Sequence, residues 1–299
     1  MKPVLLTLAI LFHLAGQSQP KTFEGIIHYK VVHTSKLAAV SATDFARENP
    51  GNTMTIYIKN GKKKIVAGDF TTYSLPGEEN SYRIISGFDT LYTIEPDTTK
   101  QQKIEQKAQR STIAGYDCES ASFKERIYTY DYCFARDIIC DKNSNDPDIW
   151  LSQKVSCIFS EQAITCTQVE PRPLDDSIFA LPAFPRTKYQ YNMHYTKAEL
   201  PGGWGKYLQR TLNADLALKY VKIPKGAEGA SATARVVFVV TPAGNIADVM
   251  VENPKEIHPK LAAEAVRVVT ESNRWKPVTY RGKKVPQVLV QPISFAITK

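Results

Sequence analysis

The sequence has few residues arranged as catalysis or metal binding would require. Its five histidines, His13, His28, His33, His194 and His258, are scattered. No cysteines show the C-x-x-C spacing, and no G-x-S-x-G elbow, P-loop or dinucleotide fingerprint is present. The absent motifs are the ones that typically form zinc sites, activate nucleophiles or bind phosphate groups. The sequence therefore predicts a non-enzyme with no cofactor and no metal.

Long apolar runs are absent after the first residues of the chain. Lys2 precedes an apolar run from Val4 to Leu14, and small residues follow at 15–18. A bilayer span needs about 20 apolar residues, whereas a run of this length is typical of a signal peptide. No cysteine follows that would take a lipid. We expect a cleaved signal peptide at 1–18, export to the periplasm or cell envelope, and no transmembrane helix after cleavage. A retained anchor is the alternative.

Acidic residues are scarce in the last third of the chain. Residues 197–299 hold 16 Lys or Arg and 8 Asp or Glu, whereas residues 1–196 hold 22 of each, so this region carries the whole net charge of +8. A basic region favours acidic partner segments, phosphorylated head groups or peptidoglycan-associated anions. A solvated basic surface without a ligand is the alternative. Nucleic acid is disfavoured because an exported chain seldom meets it and no nucleic-acid motif is present.

Helical periodicity is weak between residues 22 and 186, where 38–47 is the only candidate helix. Asn60-Gly61, between two β-rich runs, is a strong hairpin signal. The pattern predicts an antiparallel all-β domain, curved into a half-barrel, barrel or sandwich. The predicted strands are 23–32, 53–59, 62–66, 82–85, 91–94, 113–123, 126–130, 150–159 and 163–169.

All five cysteines lie in this β-rich region, which in an oxidising compartment predicts up to two disulfides and one thiol. If Glu161-Gln162 forms a two-residue loop, Cys157 faces Cys166 at a non-hydrogen-bonded position, where Cα atoms lie about 4.5 Å apart. We therefore expect a Cys157–Cys166 disulfide. Cys133 and Cys140 are also symmetric about a turn, and a bond between Cys118 and either of them is equally compatible.

The last hundred residues carry a different pattern. Leu208, Leu212 and Leu216 recur at helical spacing after a Pro-Gly-Gly break, and residues 234–251 form two β-rich runs around a turn. Pro259 then begins a second amphipathic segment that reaches Arg274, and an apolar final strand follows. The predicted order is helix, strand, strand, helix, strand.

This region resembles the TonB C-terminal domain family over about residues 198–299. The matching patterns are Pro201-Gly202-Gly203-Trp204, Tyr220 with Pro224, Val239-Val240-Thr241-Pro242-Ala243-Gly244, Leu261 with Glu264-Ala265, and Trp275-Lys276-Pro277. Ala232 departs from the family, which usually has Gly before the first strand. The Pro-rich spacer of a TonB energy transducer is absent as well, so an energy-coupling role does not follow.

The resemblance implies a module that binds an extended segment of an outer-membrane transporter by adding it to a sheet edge. The candidate contact strand is 285–297, where Pro292 indicates an edge or a bulge because proline donates no ladder hydrogen bond. An ordinary core strand is the alternative, and self-pairing to a homodimer is another. The candidate partner-binding residues are Val285, Gln287, Val288, Val290, Gln291 and Ile293.

The β-rich region resembles GLPGLI-type exported envelope proteins and relatives of periplasmic lipoprotein carriers, although the GLPGLI motif itself is absent. The resemblance implies a second function, in which this region carries a lipid or another apolar ligand and the TonB-like domain docks it. It rests on Phe23-Glu24-Gly25-Ile26-Ile27-His28-Tyr29, Ile113-Ala114-Gly115-Tyr116-Asp117-Cys118, and the Leu174–Pro182 segment.

The length of 299 residues and the hydrophobic content of 43% favour two cores. We predict an α+β protein: an antiparallel β domain at 22–186, a short linker at 187–200 and a TonB-like α-β-β-α-β domain at 201–299.

Overall fold

A computed structural model describes residues 22–298 except 47–50, 97–104, 126, 136, 141–148 and 191–193. The predicted signal peptide at 1–18 lies outside the described residues.

The N-terminal part forms one large sheet. Its spatial order is β12-β6-β5-β4-β3-β2-β1-β11-β10-β9-β8-β7, and all neighbours are antiparallel except β12 and β6. β12 and β7 are its two edges among the described residues, so the sheet is open rather than a closed barrel. The strands are β1 (Gly25–Ser35), β2 (Thr53–Lys59), β3 (Lys62–Ala67), β4 (Phe70–Ser74), β5 (Ser81–Ile85), β6 (Leu91–Ile94), β7 (Glu105–Ile113), β8 (Tyr116–Glu125), β9 (Tyr128–Ala135), β10 (Trp150–Ser156), β11 (Ser160–Pro171) and β12 (Arg186–Lys188).

Two turns show how local sequence sets this sheet. Asn60-Gly61 joins β2 to β3 with both φ angles positive, as predicted for a two-residue hairpin. The single strand predicted at 113–123 is wrong, because Ala114 and Gly115 also adopt positive φ and turn β7 into β8. The predicted helix at 38–47 is shorter in the structure, where α1 spans Ala42–Ala46.

The main core of the sheet lies on the face that carries Ile27, Tyr29 and Ile56. Ile138 and Ile149, from the connection between β9 and β10, are also part of it. A 3₁₀ helix at Asp176–Phe179 places Phe179 in a second cluster with Ile26. Apolar residues of both faces are therefore buried, which is typical of a sheet covered by its own connections.

The C-terminal domain contains the predicted order of elements with additions. The predicted first helix is divided at 212–214 into α2 and α3, and a two-stranded hairpin precedes the last strand. A three-stranded sheet has the order β14-β13-β17. The elements are α2 (Trp204–Thr211), α3 (Asp215–Tyr220), β13 (Gly229–Val240), β14 (Ile246–Val251), α4 (Pro259–Glu271), β15 (Thr279–Tyr280), β16 (Lys283–Lys284) and β17 (Gln287–Thr298).

Candidate partner-binding edge

β13 is the central strand of the C-terminal sheet. Residues 236–240 are completely buried, and this β-branched run lies between β14 and β17. β17 pairs with β13 over all twelve of its residues without a register shift. No other described strand lies beside β17, so its second side is an edge of the sheet.

The backbone direction of β17 follows from the contacts of Arg235. Its N–H donates to Oδ1 of Asn253 at 2.9 Å, and its carbonyl accepts from the N–H of Glu252 at 2.8 Å. Both groups therefore point away from β17, so Arg235 and its partner Pro292 form a non-hydrogen-bonded pair. By alternation, the backbone groups of residues 288, 290, 292, 294 and 296 point toward the open edge.

The side chains of β17 alternate between buried and exposed positions, just as its backbone groups alternate between β13 and the open edge. Ile293 and Phe295 are buried in the C-terminal core, and Leu289 is packed against it. The side chains of Pro292, Ser294 and Ala296 are exposed, and Val290 is 41% exposed. The edge therefore combines unpaired main-chain groups with accessible alternate side chains, which is the geometry that strand addition requires.

The six predicted contact residues do not form one surface. Val285 precedes β17, is buried, and donates its N–H to the carbonyl of Val278 at 3.0 Å. Ile293 is also buried, whereas Gln287 and Gln291 direct their backbone groups toward β13. Of the six, only Val288 and Val290 direct their backbone toward the edge.

Sequence reasoning missed Ser294 and Ala296, whose backbone groups and exposed side chains belong to the same edge. The signal was available, because exposed residues alternate with apolar ones in Ile293-Ser294-Phe295-Ala296-Ile297. That alternation, counted from Pro292, separates edge positions from core positions.

A tight turn holds β13 and β14 against the core. Gly244 has φ +82°, and a Cβ there would lie 2.2 Å from the carbonyl oxygen of Trp275. The carbonyl of Gly244 accepts from the N–H of Trp275 at 3.0 Å. Only glycine combines this φ with such a close approach. The glycine of the predicted Thr-Pro-Ala-Gly turn therefore positions Trp275 in the core.

A buried carboxylate fixes the helices that lie beside the sheet. Glu264 on α4 accepts from the N–H of Asn213 at 2.8 Å and from Arg267 Nη2 at 2.7 Å. Hydrogen bonding from Arg267 lowers the pKa of Glu264 below its ordinary value, with the Asn213 N–H acting in the same direction. The Asn213 contact lies at the break between α2 and α3, and α3 packs against β17.

The opposite face of the C-terminal sheet is covered by the N-terminal part. Val237 and Val239 are completely buried with Leu37, Val40 and Phe159 in a shared apolar group, here called the docking cluster. Beside it, the N–H of Ala39 donates to Oδ2 of Asp248 at 2.7 Å. Asp248 has φ +50° and lies where the β13–β14 register shifts, so a bulge in β14 directs this carboxylate.

A second contact between the two parts centres on Arg281 in the β15–β16 hairpin. Its guanidinium lies 3.7 Å from the Asp69 carboxylate, donates to the carbonyl of Ser86 at 3.3 Å and lies over the Phe88 ring. His194 stacks on the same ring, and burial, followed by the charge of Arg281, lowers its pKa. The C-terminal domain is therefore held at two separate places.

The predicted Cys157–Cys166 disulfide is corrected by the structure, in which both residues are thiols. The loop between β10 and β11 is centred on 158–159, because the N–H of Cys157 donates to the carbonyl of Ser160. Cys166 lies farther along β11 and belongs to the main core, whereas Cys157 belongs to the docking cluster. Of the pairings left open, Cys118–Cys133 forms, with Cα atoms 5.4 Å apart.

Among the described residues, no three or more His, Cys, Asp or Glu side chains are grouped as a metal site would require. The helices in the described part of the chain include none that is long and apolar enough to span a bilayer.

Residues 226–297 match the family model of the Gram-negative bacterial TonB protein C-terminal. The resemblance predicted from sequence is confirmed. The match includes β13, β14, α4 and β17, and therefore the whole candidate edge. It spans less than half of the chain, and α2 and α3 precede it. This TonB-like domain indicates protein interaction in the cell envelope.

Comparison with other known proteins gives only distant likenesses. No curated protein matches the chain. PNGF-II is similar at TM-score 0.40 and 8% identity, over 72% of this chain and 43% of that one, so the chain spans less than half of that protein. Lipoprotein LppX from Mycobacterium tuberculosis is similar at TM-score 0.26 and 8% identity, over 51% of this chain and 89% of that one. A LolA superfamily protein from Nitrosomonas europaea is similar at TM-score 0.19 and 9% identity, over 54% of this chain and 91% of that one.

Proposed function

We propose that this protein is a non-enzymatic binding protein of the cell envelope, whose TonB-like domain adds an extended segment of a partner protein to the free edge of β17. The observation that carries the proposal is the outward-facing backbone of residues 288–296, which no described strand pairs. Each main-chain hydrogen bond to a partner segment adds affinity, and the exposed alternate side chains supply specificity.

The partner class follows from the family resemblance and from charge. TonB-type domains bind extended segments of outer-membrane transporters, and the net positive charge of residues 197–299 favours a segment with acidic residues. Lys283 and Lys284 are exposed just before β17 begins. An acidic side chain at that end of the segment would lie near them, which predicts affinity that falls as salt rises.

The test removes outward N–H donors and keeps the backbone pairing of β17 with β13, although Ser294→Pro also removes the 2.8 Å hydrogen bond between the Ser294 and Thr233 hydroxyls. Val290→Pro with Ser294→Pro removes two outward N–H groups, whereas the matched variant Val290→Thr with Ser294→Thr keeps both. Each protein is used to capture detergent-extracted envelope proteins. A transporter bound by the parent and the threonine variant, and lost with the folded proline variant, supports the proposal. Equal capture by all three places the contact elsewhere.

A second candidate function, apolar-ligand carriage by the N-terminal sheet, is favoured by one observation. Half-buried rings from β8 and β9 form a stacked row, with Phe123 and Tyr130 centroids 4.6 Å apart and Tyr132 and Phe134 centroids 5.4 Å apart. Such a row suits an acyl chain as well as a core. Organic extraction of protein purified from the envelope, followed by mass spectrometry, distinguishes a ligand carrier from a protein that only binds a partner. A carrier releases a stoichiometric apolar ligand, and a pure interaction module releases none.

A further inference from the structure

The free edge of β17 lacks one donor at its centre. Residues 288, 290, 292, 294 and 296 direct their backbone outward, but Pro292 has no N–H. The edge therefore offers an unbroken row of acceptors and a row of donors with one gap. The Pro292 ring is exposed and belongs to none of the buried clusters among the described residues, so core packing does not explain it.

Two-fold symmetry makes this gap more costly for a second copy than for a foreign segment. When two β17 edges pair antiparallel about a two-fold axis, every paired position occurs twice. A pairing centred on residue 291 sets each Pro292 against Val290 of the other copy, and one centred on 293 sets it against Ser294. Each arrangement loses two hydrogen bonds, whereas a foreign segment loses one.

Because of where the gap lies, a second copy cannot avoid Pro292 and still pair over a long stretch of β17. Pro292 lies near the middle of the twelve-residue strand, so a self-pairing that avoids it uses only residues 287–291 or 293–298. Half of the strand then provides the outward-facing residues 288 and 290 on one side of the proline, or 294 and 296 with the terminal Thr298 on the other. Proline on exposed edges is a known device against edge-to-edge association.

We propose that Pro292 makes the β17 edge selective for an extended segment of another protein over a second copy of this chain. The inference rests on the proposed function in one respect, that this edge is a binding surface. Pro292 sets the specificity of the edge by removing a donor that self-pairing would use twice.

The test measures self-association of the purified protein by sedimentation equilibrium, and needs no partner. Pro292→Thr restores one outward donor per strand and therefore two hydrogen bonds per symmetric dimer. Since each hydrogen bond is worth about a factor of five, the dimer Kd should fall by about 25-fold. Ser294→Thr introduces the same threonine side chain but adds no backbone N–H, so it should leave the Kd unchanged. Pro292→Thr with Val290→Pro moves the gap and should return the Kd to the parent value.

Two results would overturn the inference. One is a folded Pro292→Thr variant that self-associates no more than the parent. The other is a parent dimer that Val290→Pro dissociates, because β17 would then already pair with itself. Neither result depends on capture of an envelope protein. If the capture experiment failed, the measured effect of Pro292 on self-association would still stand, and only the proposed binding of a foreign segment would be refuted.

Discussion

Single residues with several contacts hold the C-terminal domain, and Glu264 is the clearest case. Its carboxylate joins the Asn213 amide to the Arg267 guanidinium while almost fully buried. Because these contacts lower its pKa, the stability they contribute is present above the ordinary value of about 4.3 and is lost as pH falls through the lowered value. Acidification through that range should therefore weaken the contact between α4 and the α2–α3 break.

We predict that Glu264→Gln lowers the free energy of unfolding by about 1–3 kcal/mol at pH 7, because a charge-assisted contact is lost. Denaturant unfolding at pH 7 and at pH 3 measures it. The difference between parent and variant should shrink at the lower pH, where the parent carboxyl approaches protonation. An equal difference at both pH values would contradict this role of the carboxylate.

The cysteines give a second prediction at this scale. A peptide map of the unreduced protein should show Cys118 linked to Cys133, with Cys157 and Cys166 alkylated after unfolding. The link closes a separation of 15 residues, so Cys118→Ser with Cys133→Ser should cost about 3 kcal/mol. Recovery of a Cys157–Cys166 peptide would contradict the register of β10 and β11.

Residue patterns with a strict backbone requirement were predictable, and those that depend on register were not. Asn60-Gly61 identified its hairpin because few residue pairs tolerate two positive φ angles. The predicted Cys157–Cys166 disulfide is wrong because it requires Glu161-Gln162 as the loop centre, whereas the structure centres the loop on Ile158-Phe159. A shift in loop position changes every facing pair.

At the scale of elements, β17 has one paired side and one open side, and proline substitution distinguishes them. Gln291 directs its N–H toward β13, so Gln291→Pro should cost about 1–3 kcal/mol by breaking the ladder. Val290 directs its N–H outward, so Val290→Pro should cost less than about 1 kcal/mol. Thermal unfolding of the two variants measures the difference. Equal losses would mean that the assigned alternation is incorrect.

Element order was more predictable than element pairing. The helices and strands of the C-terminal domain follow from local periodicity and from Pro259, which begins α4. β4 was missed because Phe70-Thr71-Thr72-Tyr73-Ser74 is short and half polar. The return of β11 beside β1 joins distant residues, and no local pattern encodes such a contact.

At the scale of the whole molecule, the docking cluster joins the N-terminal sheet to the TonB-like domain. The division at 22–186, 187–200 and 201–299 stays a prediction, although β12 extends sheet pairing to Lys188. Sequence analysis identified the apolar run of β13 but not what covers its second face. The covering residues, Leu37 and Val40, lie about 200 positions earlier in the chain.

We predict that Leu37→Asp releases the docking cluster and weakens the attachment of the two parts, because it places a carboxylate in an apolar cluster at a cost of about 2–4 kcal/mol. Calorimetry should then resolve two transitions, and proteolysis between residues 189 and 200 should accelerate. The matched variant is Leu218→Asp, at a leucine that is 71% exposed on α3. It should behave as the parent does. A single unchanged transition in Leu37→Asp would contradict the role of the docking cluster.

The most direct measurement of partner binding at β17 is site-specific photo-cross-linking in intact cells. A photoreactive side chain at Ser294 or Ala296 projects beside the open edge, and the same group at Lys206 on α2 is the control. We expect adducts with an extended segment of another envelope protein from 294 and 296, and none with that protein from 206. Adducts from 206 alone, or only with a second copy of this chain, would contradict strand addition of a foreign partner at β17.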